Sequence, residues 1–109
     1  MNDLLELFKV LSDETRLRII NLLKTQSLCV CELVDILELT QPKISKHIAK
    51  LRAINLVNTK RNEQYIYYSL NEENDDYLKV INVVFGLDNK LLAKDLDKIN
   101  KIESFVCTK

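Results

Sequence analysis

The sequence predicts a mainly α-helical fold with one small β-hairpin, of the α+β class, in the order ααααββα(α). Three observations carry that prediction. Apolar residues recur at helical spacing up to about residue 54, and the period drops to two between residues 56 and 70. Helical spacing then returns over residues 72–104. The chain has 109 residues, of which 47% are hydrophobic, so it makes one domain, 1–109, with a small core that pairing would enlarge.

Each element has its own signal. Leu4, Leu5, Phe8 and Leu11 place a first helix over residues 3–11. Ser12 and Asp13 offer a cap, with Glu14 in the favourable first turn of a second helix, 13–25. Leu17, Ile19, Ile20, Leu22 and Leu23 make that helix the central buried one, and Gln26, Ser27 and Leu28 break it. A short third helix covers 30–38, with Leu33, Ile36 and Leu37 inward. Thr40 is an N-cap and Pro42 suits a first turn, where its missing N–H costs nothing, so a fourth helix runs from 41 to 54. Strands Leu56–Arg61 and Gln64–Leu70 follow, with Asn62 and Glu63 at the turn. Asn71 caps a fifth helix that ends at Phe85 and Gly86, and Asp88 opens a sixth with Leu91, Leu92, Leu96, Ile99 and Ile102 on one stripe.

Two short helices joined by a three-residue connection, the second capped by Thr and opened by Pro, form a helix-turn-helix pattern. The hairpin behind it would be a wing, over residues 56–70. Charge supports a role for both. Sixteen acids balance sixteen bases in the whole chain, yet Thr40–Arg61 carries six bases and no acid. Those bases are Lys43, Lys46, Lys50, Arg52, Lys60 and Arg61. An ordinary solvated face mixes both signs, so a positive patch on a neutral protein points to a phosphate backbone. Lys43, Lys46, His47 and Lys50 are expected on the outward stripe of the fourth helix, opposite Ile44, Ile48 and Leu51. Gln41 and Ser45 can reach base edges from the N-terminal end of the helix. Lys60, Arg61, Asn62 and Gln64 would touch backbone or minor groove from the hairpin tip. The expected partner is double-stranded DNA.

The second constellation is a thiol pair. Cys29-Val30-Cys31 lies where the third helix begins. Helix N–H groups favour anions, so a thiolate there is expected to form more easily than usual. In a regular helix residues i and i+2 lie on nearly opposite sides. Both sulfurs can grip one ion only if the backbone there is extended, and an ion demanding both would pull on the helix before the reader. Soft thiolates select soft ions, and three sulfurs, with Cys107 as the third, suit three-coordinate As(III) or Sb(III), or Pb(II). Small buried core cysteines are the plain alternative.

These blocks together carry a resemblance. LFKVLSDETRLRIINLL, SLCVCELVDIL, TQPKISKHIAKLRAINLV and KRNEQYIYYSLN, over roughly residues 4–71, resemble the ArsR/SmtB family of winged-helix repressors, and its arsenical-resistance branch in particular. The resemblance implies a winged helix-turn-helix homodimer, joined through its first and last helices, about 72–104 for the latter. It implies binding to an inverted-repeat operator and release by As(III) or Sb(III). The family's arsenic-binding cysteines carry over to Cys29 and Cys31. The third of the fullest pattern would fall at position 34, where this chain has Val34, so Cys107, a small thiol or solvent completes the set. The related cadmium/lead branch shares the C-V-C but draws further cysteines from an N-terminal extension that this chain lacks, and Pb(II) or Cd(II) stays as an alternative inducer.

Other classes are weighed against this. No apolar run approaches the ~18 residues of a membrane span, and Asp3 and Glu6 do not suit a signal peptide. Three cysteines, two nearly adjacent, suit reduced thiols in the cytoplasm. A thiol redox switch between Cys29 and Cys107 is a competing reading of the same fold. A thiol enzyme or metal carrier is expected less, because no general base, phosphate loop or organic cofactor motif accompanies the cysteines.

Overall fold

The computed structural model describes residues 2–73, 75–87 and 90–99. Their order is α1 (Asn2–Leu11), α2 (Glu14–Leu23), β1 (Leu28–Cys29), α3 (Val30–Leu37), α4 (Gln41–Ala53), β2 (Val57–Asn62), β3 (Tyr65–Leu70), α5 (Asp75–Phe85) and α6 (Lys90–Ile99). All the expected helices are present, and the fold is a winged helix-turn-helix. The expected Asp88 start, Ile102 and the end of the C-terminal helix lie outside the described residues.

The hairpin is part of a larger sheet than expected. Leu28 is not a mere helix breaker: it begins a two-residue strand, giving an antiparallel sheet ordered β1-β3-β2. Leu28 pairs with Tyr68 and Cys29 with Tyr67. Two residues are too few to show a period, so the sequence pattern hides β1. The hairpin turn sits one residue later than expected, at Glu63 and Gln64, because Asn62 pairs with Tyr65.

Ile19, Ile20 and Leu22 of α2 are fully buried with Leu33 of α3, Ile44 and Leu51 of α4, Leu56 and Ile81. Asp13 opens α2 by accepting the Arg16 backbone N–H at 3.1 Å. Thr40 holds the N-cap position of α4 with extended backbone but makes no side-chain capping bond there. On α1, Leu7, Val10 and Leu11 enter the core, while Leu4, Leu5 and Phe8 stay exposed.

Helix α6 is docked by polar contacts no local pattern could announce. The Arg18 guanidinium donates to Asp95 through Nε at 2.8 Å and Nη2 at 2.9 Å, with Asp95 only 2% exposed. Asn21 donates to the Leu92 carbonyl at 3.1 Å. Lys98 donates to the Ile36 carbonyl at 3.1 Å and pairs with Glu38, holding α6 against the C-terminal end of α3.

Candidate nucleic-acid interface and thiol site

Helix α4 buries Ile44, Ile48 and Leu51 and exposes Gln41, Lys43, Ser45, Lys46, Lys50 and Arg52. Every lysine expected outward is outward, with no acid among them. His47 is a correction. It is 9% exposed and turned into the protein, not toward solvent. Spacing explains why: 44, 47, 48 and 51 follow i, i+3, i+4, i+7, so His47 belongs to the buried stripe. A closer reading of the same pattern would have found this.

The inward imidazole meets α2. Arg16 Nη1 lies 3.2 Å from His47 Nδ1, and Asp13 Oδ1 lies 4.0 Å away. A guanidinium only donates, so this contact is a hydrogen bond when Nδ1 is the acceptor of a neutral ring. Burial holds the His47 pKa below its ordinary value, and the Arg16, Lys43 and Lys50 charges push the same way against Asp13. Arg16 also donates to the Val10 carbonyl at 2.8 Å and the Lys9 carbonyl at 3.4 Å, so it closes the end of α1 as well.

Lys60, Arg61, Asn62 and Gln64 are all exposed on the hairpin. Glu63 takes a left-handed conformation at φ 58°, and its carbonyl accepts Arg61 Nε at 3.2 Å. The α4 lysines and the hairpin cations thus stand on two elements joined by one turn. That turn is a complete helix stop. Asn55 is left-handed at φ 61°, its N–H reaches the Arg52 carbonyl at 2.9 Å, and the Leu56 N–H reaches the Leu51 carbonyl at 3.0 Å. Leu51 and Leu56 bury together behind it.

The two neighbouring cysteines are brought together. Cys29 is both the last residue of β1 and the N-cap of α3, with extended backbone at φ −90°, ψ 168°. The backbone condition for a shared ion is therefore met without opening the helix, and the sulfurs lie 3.1 Å apart. Glu32 holds this arrangement: its Oε1 accepts the Cys29 N–H at 2.9 Å, while Cys29 Sγ faces the Glu32 N–H in a capping box. The sequence C-x-C-E spells N-cap, N2 and N3, a signal that spacing along a regular helix misses.

The expected ease of thiolate formation is overturned at Cys29, which is 2% exposed. Burial pushes its thiol pKa up, and the Glu32 carboxylate adds to that, against the Glu32 and Cys31 N–H groups. Burial likewise raises the Tyr67 phenol, with Cys29 and Glu32 contributing. Cys107 lies outside the described residues. Among the described residues no group of three or more His, Cys, Asp or Glu side chains could hold a metal ion. No helix of the described residues is long and apolar enough to cross a membrane.

The chain is similar in sequence and fold to known proteins. Residues 13–59 match the family described as bacterial regulatory protein, arsR family. The chain is 37% identical to the arsenic resistance transcriptional regulator ArsR2 of Pseudomonas putida, over 94% of this chain and 96% of that one. It is 48% identical to ArsR1 of the same organism over 61% of its length, and spans about half of that relative, 52%. Reduced HlyU from Vibrio cholerae superposes with a TM-score of 0.70 at 34% identity, covering 76% of this chain and 85% of HlyU. The relatives' names are those of regulators, not enzymes. A helix-turn-helix with a basic outer face, a wing and these relatives have one explanation: the chain belongs to the arsR family of bacterial transcriptional regulators.

Proposed function

We propose that this chain represses a metalloid-resistance operon and leaves its operator when As(III) or Sb(III) bridges Cys29 and Cys31. The observation that carries the reading is the 3.1 Å sulfur pair at the start of α3, in a chain whose α4 and wing present unopposed cations. With both cysteines reduced to thiols by the reductant, each As–S bond replaces an As–OH, and the thiol proton leaves with the hydroxide as water. Cys107 is the third donor in this reading. Pb(II) and Cd(II) share the preference for thiolate and are the next inducers to consider.

The repressor works as a homodimer in the cytoplasm, and the exposed Leu4, Leu5 and Phe8 face of α1 supports pairing there. Two α4 helices then enter successive major grooves of an inverted repeat about one turn apart. Lys43, Lys46 and Lys50, with Lys60 and Arg61, set affinity through phosphates. Gln41 and Ser45 read base edges, with Asn62 and Gln64 at the wing.

The test is a gel shift on the DNA upstream of the gene, under strong reductant, with arsenite, antimonite, lead and cadmium added in turn. Release by arsenite or antimonite is expected. A complex that persists at saturation with all four refutes the reading. Because the reductant is present throughout, release by arsenite also separates metalloid sensing from a redox switch.

A further inference from the structure

The cysteine pair is tied to the wing by a more direct path than to the reading helix. Cys29 pairs with Tyr67 on β3, and Tyr67 pairs with Lys60 on β2. Directly opposed residues of an antiparallel sheet project from the same face. Cys29, Tyr67 and Lys60 therefore form one row across the sheet, about 10 Å from end to end at the usual strand spacing. Toward α4 the signal passes through α3 and its packing on α4, and Cys29 and Cys31 occupy the end of α3 remote from the turn into α4. Lys98 and Glu38 fasten that far end to α6.

We infer that the wing carries the inducer's signal: ligation of Cys29 shifts β1 against β3 and withdraws Lys60 and Arg61 from DNA. This rests on the metalloid reading and adds its route. Cys29 is a closely packed sulfur, 2% exposed, so an ion cannot reach it unless something beside it gives way. Beside it lies the β1–β3 seam, which is paired over two residues only. By contrast β2 and β3 pair along their whole length and move as one piece. Short, sparsely paired segments are where native structure opens first. Displacement at Cys29 is thus passed to a rigid hairpin whose far end holds the cations.

The experiment measures operator affinity with and without arsenite, under reductant, for the wild type, Lys60→Ala/Arg61→Ala and Lys46→Ala/Lys50→Ala. The ratio of the two affinities is the readout, so weaker basal binding in either variant does not matter. In the wild type arsenite is expected to lower affinity roughly 5–150-fold. The wing variant should lose most of that factor, because the contacts that arsenite would break are already missing. The α4 variant should keep it whole. A wing variant that retains the full wild-type factor overturns the route while leaving metalloid sensing intact. A wild type that shows no factor overturns the metalloid reading itself. As a second readout, arsenite should speed amide exchange in DNA-free protein at the one of Tyr67 and Tyr68 whose N–H faces β1, while the other, which faces β2, stays protected, and unchanged protection of both also overturns the route.

Discussion

Arg16 reaches 3.2 Å from its Nη1 to Nδ1 of His47, so the helix bearing the exposed lysines is pinned to α2 by a guanidinium–imidazole contact that requires a neutral ring. Protonating that ring would place two cations together in a part-buried site. His47 has a folded pKa below its ordinary 6.5, so the unfolded chain takes up the proton first. Its contribution to stability is full above about pH 6.5 and is lost as pH falls through that value and the lower folded one. Asp13 does not confuse this window. Burial alone would raise its pKa, but the Arg16 N–H, His47, the Arg16 charge and the Thr15 N–H outweigh burial and hold it below 3.8. Urea midpoints measured from about pH 8 to about pH 5 should therefore fall for the wild type and fall less for His47→Gln. Parallel curves would show that the contact does not govern stability.

That contact also marks how far the sequence could be read. Most helix boundaries, the wing and the cation surface followed from spacing and from the missing acids, because both are local patterns; the start of α5 did not, since Asn71 Oδ1 accepts the Glu73 N–H in a turn and the helix begins only at Asp75. The inward turn of His47 was equally legible, in its place beside Ile44, Ile48 and Leu51, but a polar residue next to lysines invites the outward reading. Strand β1 was not legible: its partner Tyr67 lies far along the chain and two residues carry no period. The closeness of the two sulfurs depended on that strand, since it makes Cys29 an extended N-cap instead of a helical residue. The Arg18–Asp95 pair joins residues 77 apart and left no trace in any local pattern.

Arg18→Met should destabilise the fold by about 3–5 kcal/mol, because it leaves the buried Asp95 carboxylate without its two-pronged partner. Arg18→Lys restores charge but not the planar fork, so it should recover only part of the loss. Chemical denaturation reads both. If Arg18→Met sits within about 0.5 kcal/mol of wild type, a change typical of an unconstrained surface site, α6 is not docked through this pair.

Cys29→Ser and Cys31→Ser should each leave operator binding in place and abolish release by arsenite, since a hydroxyl keeps the size and loses the soft donor. Cys107→Ser is expected to lose release in part. Gel shifts with graded arsenite separate the three. Normal release by either of the first two variants removes the pair from the sensing role.

Lys46→Ala/Lys50→Ala should flatten the salt dependence of operator binding. Each phosphate contact adds about 0.9 to the slope of log K against log salt, so losing two lowers its magnitude by about 1.8. Both side chains are exposed on α4 and face no acid on their own helix, so the change is not masked by a lost ion pair. An unchanged slope would move the DNA-reading face elsewhere.

Asn55 sets the angle between α4 and the wing, and its substitution tests whether that angle matters. It is left-handed at φ 61°, its carbonyl accepts Asn71 Nδ2 at 2.8 Å, and the next N–H closes the helix on Leu51. Asn tolerates this conformation and Gly tolerates it better, while a Cβ without a compensating polar group costs about 1–2 kcal/mol. Asn55→Gly should therefore melt near wild type and Asn55→Ala should melt lower. The helix and hairpin must engage the same duplex together, so a relaxed turn should also weaken operator binding in Asn55→Ala, under conditions where the variant is fully folded. Equal melting temperatures for the Ala and Gly variants would mean that the left-handed turn is not strained by a side chain. Lower melting with unchanged operator affinity would mean that the wing finds its place on DNA without the turn's help.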